Sequence, residues 1–155
     1  MNTEPVRVIA PPPIIYLAPL GAGVALHFLW QPLRFFPSGW TGHAAGWPVF
    51  GAALLIFLWS FRSFARRGED IRIEKATNTL VRDGPYRFSR NPIYVALTLA
   101  YAGISLILNA VWPLALLPLA LAVMHYGVIR REERYLEGRF GDQYRQYRAR
   151  VRRWL

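Results

Sequence analysis

Cysteine is absent from this chain of 155 residues. Without thiols the protein can form neither disulfide bonds nor thiolate metal sites, although the absence indicates nothing about its compartment. Charge is also scarce, because 18% of the residues are charged while 54% are hydrophobic and 15% are aromatic. The histidines and acids do not have the spacing of metal ligands, and no Walker sequence is present. The sequence therefore predicts neither a metal site nor a P-loop nucleotide site.

The positive charge that is present is confined to two segments. A net charge of +10 would ordinarily raise nucleic acid as a partner. However, eight of the 19 lysines and arginines lie at 62–90 and nine lie at 130–153, and these segments alternate with apolar runs. The positive-inside rule explains such alternation, and no nucleic-acid-reading motif accompanies the charge. We therefore expect membrane lipids around the protein and no nucleic-acid partner.

The apolar runs predict an all-α integral membrane protein that forms a single domain over 1–155. The first run could be mistaken for a signal peptide, but the basic region before it is poor and no convincing cleavage site follows. Residues 93–129 would form a helix about 55 Å long, almost twice the bilayer core, so this run must fold back near Asn109. We therefore expect four transmembrane helices near 14–30, 47–65, 93–108 and 112–130.

Loop charge also predicts the orientation. Both termini and 66–91 should be cytoplasmic, with 31–46 and the hairpin tip outside, in a multi-pass protein of the inner cell membrane if the source is bacterial. Apolar residues at spacings of three and four predict an amphipathic interfacial helix over 131–154. Gly141-Asp142 should divide it, with Asp142 as a cap.

A polar loop, Asp83–Tyr94, leads directly into the third apolar helix. Asn91 followed by Pro92 is a favoured helix start. One interpretation is that Asn91 is only a cap. The other is that free backbone N–H groups, reinforced by Arg87 and Arg90, form a seat for a carboxylate or phosphate of a cofactor.

Two adjacent carboxylates, Glu132 and Glu133, stand where the last apolar run ends. They could be a solvated pair that is salt-bridged to neighbouring arginines. Alternatively, they could bind a cationic ligand such as a sulfonium or an amine. His125 lies seven residues earlier on nearly the same helical face, and it is either a functional group or a neutral histidine bonded within the bundle. His27 and His43 are isolated, and we interpret them as structural.

At these residues the chain resembles the isoprenylcysteine carboxyl methyltransferase and phospholipid N-methyltransferase superfamily, small membrane enzymes that use S-adenosylmethionine. The resemblance covers about half of the chain, from Thr77 to Trp154. Its specificity lies in the order and spacing of short pieces around a helical hairpin: Thr79-Leu80-Val81, Gly84-Pro85-Tyr86, Arg90-Asn91-Pro92-Ile93-Tyr94, Glu132-Glu133 and Phe140-Gly141-Asp142-Gln143-Tyr144.

The resemblance implies a pocket for S-adenosylmethionine, with S-adenosylhomocysteine as the product. Carried over position by position, it implies that Glu132 holds the cofactor from the last transmembrane helix. Together with the residue-based arguments above, this predicts a catalytic set of Glu132, His125 and Arg90. The prenylcysteine enzymes have an arginine one turn before the first Glu, where this chain has Val128, which speaks against a prenylcysteine substrate. The implied cofactor-binding residues are Asn78, Thr79, Leu80, Val81, Gly84, Tyr86, Asn91, Pro92, Ile93, Tyr94, Glu132 and Glu133.

Two functions of different class follow. The first is methyl transfer to a lipophilic acceptor at the membrane–cytosol boundary, with Tyr86 and Tyr94 facing the cationic sulfonium. The acceptor atom could belong to an amine, carboxylate, thiol or phenol. The alternative is a non-enzymatic small membrane module, either a transporter or an assembly subunit, in which the loop is a cap and the acids are a salt-bridged helix end.

Overall fold

A computed structural model describes residues 8–66 and 80–155, and all regular secondary structure in these two ranges is helical. The predicted site residues Asn78 and Thr79 lie outside the described residues. Within the described ranges, six α-helices, one short 3₁₀ helix and one π turn follow one another. They are α1 (Pro12–Leu29), α2 (Gly39–Ala65), the 3₁₀ helix (Gly84–Arg87), α3 (Pro92–Ile107), α4 (Val111–Met124), the π turn (His125–Ile129), α5 (Arg130–Phe140) and α6 (Asp142–Arg150).

Helix α2 begins eight residues before the predicted start at 47, because its glycines form helix and not loop. A Cβ atom on Gly42 would lie 2.6 Å from the carbonyl oxygen of Leu106, and one on Gly46 would lie 2.8 Å from that of Gly103. Small residues let two apolar helices approach closely, so these glycines seat α2 against α3. The prediction of a loop over 31–46 was therefore wrong for its second half, which belongs to α2.

The predicted hairpin is confirmed, with its turn at Asn109, a non-glycine residue of φ 51°. The amide oxygen of Asn109 accepts hydrogen bonds from the backbone N–H groups of Phe35 and Phe36, both at 3.0 Å. Its amide nitrogen donates to the carbonyl of Phe36 at 2.8 Å. One side chain therefore joins the α3–α4 turn to the α1–α2 connection, and both lie at the same end of the bundle.

The sequence predicted that the last apolar helix ends at residue 130, but the helix continues beyond that residue. Helix α4, the π turn and α5 form one continuous 30-residue helix, Val111–Phe140. The apolar run ends near Ile129. The charged residues that follow end the lipid-facing part of the helix, but they do not interrupt its backbone hydrogen bonds. The predicted division of the C-terminal segment occurs at Gly141, whose φ is 51°. Asp142 begins α6 and does not cap it.

Three helices are long and apolar enough to cross a membrane, namely Pro12–Leu29, Gly39–Ala65 and Val111–Phe140, and the shorter Pro92–Ile107 is also apolar. Helix α3 packs mainly on α2, and α4 packs mainly on α1. Buried side chains of α1, α3 and the last helix, including Tyr16, Tyr101 and Met124, form the core between them. The side of the membrane that each end faces stays a prediction.

Candidate functional site

The described residues that lead into α3, from Leu80 onward, are folded against the C-terminal helices. Leu80 and Val81 are buried, and Leu80 packs against Tyr144 and Tyr147 of α6. Leu136 and Phe140 of α5 pack against the same cluster. The apolar face predicted for the C-terminal segment is therefore used to hold the loop.

The 3₁₀ helix presses the middle of the loop onto α2. Gly84 has φ 58°, and a Cβ atom there would collide with Ser63 and crowd the indole of Trp59. Tyr86 is buried, and its ring meets the ring of Phe64 edge-on at 5.4 Å between centroids. The hydroxyl of Tyr147 donates to the carbonyl of Tyr86 at 2.7 Å.

The environment of Tyr86 keeps its hydroxyl neutral. Burial raises the pKa of Tyr86 well above its usual value, and the nearby Tyr147 and Glu132 raise it further. Burial likewise raises the pKa of Tyr147. Tyr86 therefore lies close enough to Glu132 to feel its charge, and it offers that carboxylate a neutral, aromatic neighbour.

The C-terminal tail runs along the start of α3 and fixes it. The N–H of Arg90 donates to the carbonyl of Arg152 at 2.9 Å, and the side-chain amide of Asn91 donates to the carbonyl of Arg153 at 2.8 Å. Asn91 occupies the N-cap position of α3, but its side chain makes no capping hydrogen bond. The predicted helix start at Asn91 is therefore confirmed, but the expected capping hydrogen bond is absent, and the contact that the side chain makes is the donation of its amide nitrogen to the tail. Beyond it, Pro92 is buried, while Ile93 packs against the core.

Glu133 forms ion pairs of the kind that the salt-bridge interpretation of the two acids predicted. Its carboxylate accepts two hydrogen bonds from the guanidinium of Arg153, at 2.8 and 2.7 Å, and lies 3.1 Å from Arg90. Arg90 also donates to the hydroxyl of Tyr144 at 3.3 Å. Glu133 and Arg90 are both largely buried, so this cluster ties the loop, α5 and the tail together.

Glu132 has different surroundings. It accepts a hydrogen bond of 2.6 Å from the hydroxyl of Tyr94, one turn into α3. Within 8–66 and 80–155 no arginine, lysine or histidine forms an ion pair with it, although four arginines lie within seven residues of it on either side. Tyr94 is itself buried in the core, where Tyr16 donates to its carbonyl at 3.4 Å. The partly buried carboxyl group of Glu132 therefore has no opposite charge paired with it in these parts of the chain.

His125 opens the π turn and is not brought to the carboxylate. Its ring meets the ring of Tyr126 edge-on, at 4.8 Å between centroids. The expectation that it lies on nearly the same face as Glu132 assumed a regular α-helix, and the π turn between them changes that register. No periodic pattern in the sequence indicates this turn, although Gly127 within it is a residue without a side chain to pack.

The structure thus joins Tyr94 to Glu132 and places Glu133 with Arg90 in a neighbouring cluster, while the contacts of Tyr86 are with Phe64 and Tyr147. Sequence reasoning missed the participation of Tyr16, Arg153 and the tail carbonyls. No local signal could have found the tail contacts, because they join residues about sixty positions apart.

The comparisons with known proteins agree with a membrane protein. The phospholipid methyltransferase family matches residues 41–143, which is more than half of the chain. The chain therefore belongs to the phospholipid methyltransferase family, and the superfamily expected from the loop and the acid pair is confirmed. The family and the apolar helices identify a membrane protein.

Two curated relatives match parts of the chain. It is similar to the cobalt-zinc-cadmium resistance protein CzcN of Cupriavidus metallidurans, with 38% identity over 68 residues, covering 44% of this chain and 32% of that protein. It is also similar to an uncharacterized protein of Haemophilus influenzae, with 67% identity over 27 residues, covering 17% of this chain and 43% of that protein. The chain thus spans less than half of the length of either relative. No solved structure matches it significantly.

Proposed function

We propose that this protein is an S-adenosylmethionine-dependent methyltransferase that acts on a lipophilic acceptor at the membrane–cytosol boundary. The observation that carries the proposal is the difference in charge pairing between the two acids. Glu133 is neutralised by Arg90 and Arg153, while Glu132 is held by the Tyr94 hydroxyl and lacks an opposite charge in the described ranges.

The residues fit a cationic cofactor. A carboxylate without an opposite charge attracts an ammonium or sulfonium group, and the aromatic rings of Tyr86 and Tyr94 favour a cation near their faces. In addition, the buried Nε of Arg90 has no hydrogen-bond partner among the described residues, which leaves a donor for a carboxylate at the start of α3. These groups complement the amino acid part of S-adenosylmethionine.

When bound, S-adenosylmethionine would supply a methyl group activated by its sulfonium charge. Glu132 would bind a cationic group, and Tyr94 would fix the direction of that carboxylate. Tyr86, with the loop from Leu80 to Asn91, would exclude water from above, because the loop is clamped by α6 and the tail. Such chemistry depends mainly on positioning and on the exclusion of water. The role of His125 as a catalytic residue remains a prediction without a contact in its support.

We infer lateral access for the acceptor. The loop covers the polar end of the helices, so an acceptor would approach between helices from within the bilayer and place its reactive atom near headgroup depth. The test is turnover with radiolabelled methyl donor, comparing lipid extracts with small water-soluble amines, thiols and phenols. Methylation of lipophilic acceptors is expected. Efficient methylation of a water-soluble acceptor without turnover of lipophilic ones contradicts lateral access.

The second candidate is the non-enzymatic membrane module. The buried Glu133 cluster favours it, because a structural ion pair at a helix end is what that function requires. The name of the Cupriavidus relative makes a place beside a metal-resistance system one form of this alternative. A thermal-shift assay in detergent separates the candidates. S-adenosylhomocysteine should raise the melting temperature of the enzyme, whereas a module without a cofactor site should be unaffected.

A further inference from the structure

A groove of about 490 Å³ opens between α5 and the C-terminal segment. It lies at the polar end of the last helix, and the Glu133–Arg153 ion pair forms part of its wall. Four arginines, two glutamates and one tyrosine line it. Its composition is strongly basic, so the distribution of charge within it decides what it can bind.

The two glutamates in the groove are already neutralised. Glu133 pairs with Arg153 at 2.7 Å, and Glu137 pairs with Arg148 at 3.3 Å. The remaining two arginines, Arg130 and Arg134, have no carboxylate partner in the described parts of the chain. They are separated by one helical turn, so their side chains are neighbours on the helix surface. The groove therefore presents two adjacent guanidinium groups to an anion.

The depth of these arginines matches the lipid headgroups. Arg130 directly follows Ile129, where the apolar run of the last helix ends. Tyr126, one turn earlier, is 63% exposed, and the guanidinium of Arg130 lies 5.6 Å from the centre of its ring. Exposed tyrosines are typical of the membrane–water interface. Tyr126 and Arg130 thus mark the level at which acyl chains give way to phosphate.

The groove is separate from the proposed cofactor site. Arg130 and Arg134 are each two residues from Glu132, which corresponds to about 200° around an α-helix. The Nε of Arg134 donates to the carbonyl of Arg130 at 3.3 Å, which holds the guanidinium along the helix and leaves its terminal N–H groups free. A ligand here would lie across α5 from Glu132.

We propose that this groove binds the phosphodiester of an anionic phospholipid. Guanidinium groups match phosphate oxygens with two parallel hydrogen bonds, and they are weakly hydrated for a cation. The lipid would bind between α5 and α6 with its acyl chains against the apolar part of the last helix near Tyr126. It would hold the C-terminal segment, and with it the loop and tail, at the membrane surface.

The test measures lipid retention by native mass spectrometry of detergent-solubilised protein with phosphatidylglycerol or phosphatidylcholine. Phosphatidylglycerol should be retained preferentially. The double variant Arg130→Gln/Arg134→Gln should bind it about thirtyfold more weakly, because each basic residue near an anionic headgroup contributes about fivefold. Cofactor affinity, measured on the same samples, should be unchanged.

The control is Arg150→Gln/Arg152→Gln, which removes the same charge from exposed positions that do not line the groove. This variant should retain phosphatidylglycerol. Equal losses of phosphatidylglycerol retention in both variants would mean that only general surface charge matters, and this result would overturn the proposal. Equal retention of phosphatidylcholine, or displacement of the lipid by glycerol phosphate at similar concentration, would also overturn it. Thermal denaturation of the double variant checks that the fold persists.

Discussion

The substitution Glu132→Gln separates charge from shape at the proposed cofactor site. A glutamine has nearly the same size, and its amide oxygen can still accept the hydrogen bond from the Tyr94 hydroxyl, which is 2.6 Å long in the native protein. No ion pair within the described residues would be broken, because the partners of the arginines are Glu133 and other acids. The variant should therefore fold normally while losing one negative charge.

The expected loss of affinity follows from the nature of the contact. A hydrogen bond to a charged group contributes about 1.5–3 kcal/mol when it is shielded from water. Converted to affinity, this range corresponds to a dissociation constant raised by about tenfold to 150-fold. Because Glu132 is only partly buried, we expect a value nearer the lower limit.

The assay is isothermal titration in detergent with both S-adenosylmethionine and S-adenosylhomocysteine. The two molecules share an ammonium group, but the second lacks the sulfonium charge. Equal weakening of both would place the ammonium at Glu132, whereas weakening of S-adenosylmethionine alone would place the sulfonium there. The melting temperature without ligand should change little.

Glu133→Gln is the matched control, because the adjacent side chain points about 100° away on the helix. Its effect on cofactor affinity should be the smaller of the two. If Glu132→Gln folds and binds both ligands within threefold of the native protein, the carboxylate does not hold the cofactor. Equal and small effects of the two substitutions would return the pair to a structural role.

Three further predictions concern the supports of the site. Glu133→Gln should lower the free energy of unfolding by about 3 kcal/mol, because it leaves buried guanidinium charge without a counter-charge. Gly84→Ala should cost about 1–3 kcal/mol through its positive φ and the contact with α2, while Gly138→Ala, in open space within a helix, should be neutral or stabilising. Asn91→Ala should cost about 1 kcal/mol by removing the hydrogen bond to Arg153, and it should weaken cofactor binding.

Thermal denaturation in detergent measures all three effects, and titration adds the affinity of the Asn91 variant. An unchanged melting temperature for Glu133→Gln would mean that water reaches the ion cluster. Similar behaviour of the two glycine variants would mean that the loop does not press on α2. Lower stability with unchanged affinity would leave Asn91 as a support for the tail alone.

The helices and the hairpin could be predicted from the sequence because they depend on apolar runs of fixed length. Asn109 stood out as the polar residue of a 37-residue apolar run, and the turn is there. The start of α2 could not be found in this way. Glycine weakens an isolated helix, but Gly42 and Gly46 are retained by their contact with α3, which no local pattern reveals.

The sequence indicated which kinds of residue make up the candidate site, but it did not indicate which side chains pair with each other. The sequence showed two acids and an arginine-bearing loop, and helical geometry indicated that the acids face different ways. Which acid is neutralised depends on Arg153, twenty residues further along, and on the path of the tail. Asn91 shows the same limit, since the partner of its side-chain amide is a carbonyl sixty-two residues away.

The π turn determines which residue meets which partner beyond it. Its hydrogen bonds enclose one more residue than an α-helical turn. If the same residues wound as a regular α-helix, α5 would be rotated by about 100°. Arg131 would then take the place of Glu132 beside Tyr94, and Glu132 would take the place of Glu133 beside Arg90 and Arg153. The spare residue therefore acts as a spacer that keeps the polar end of the helix in phase with its neighbours.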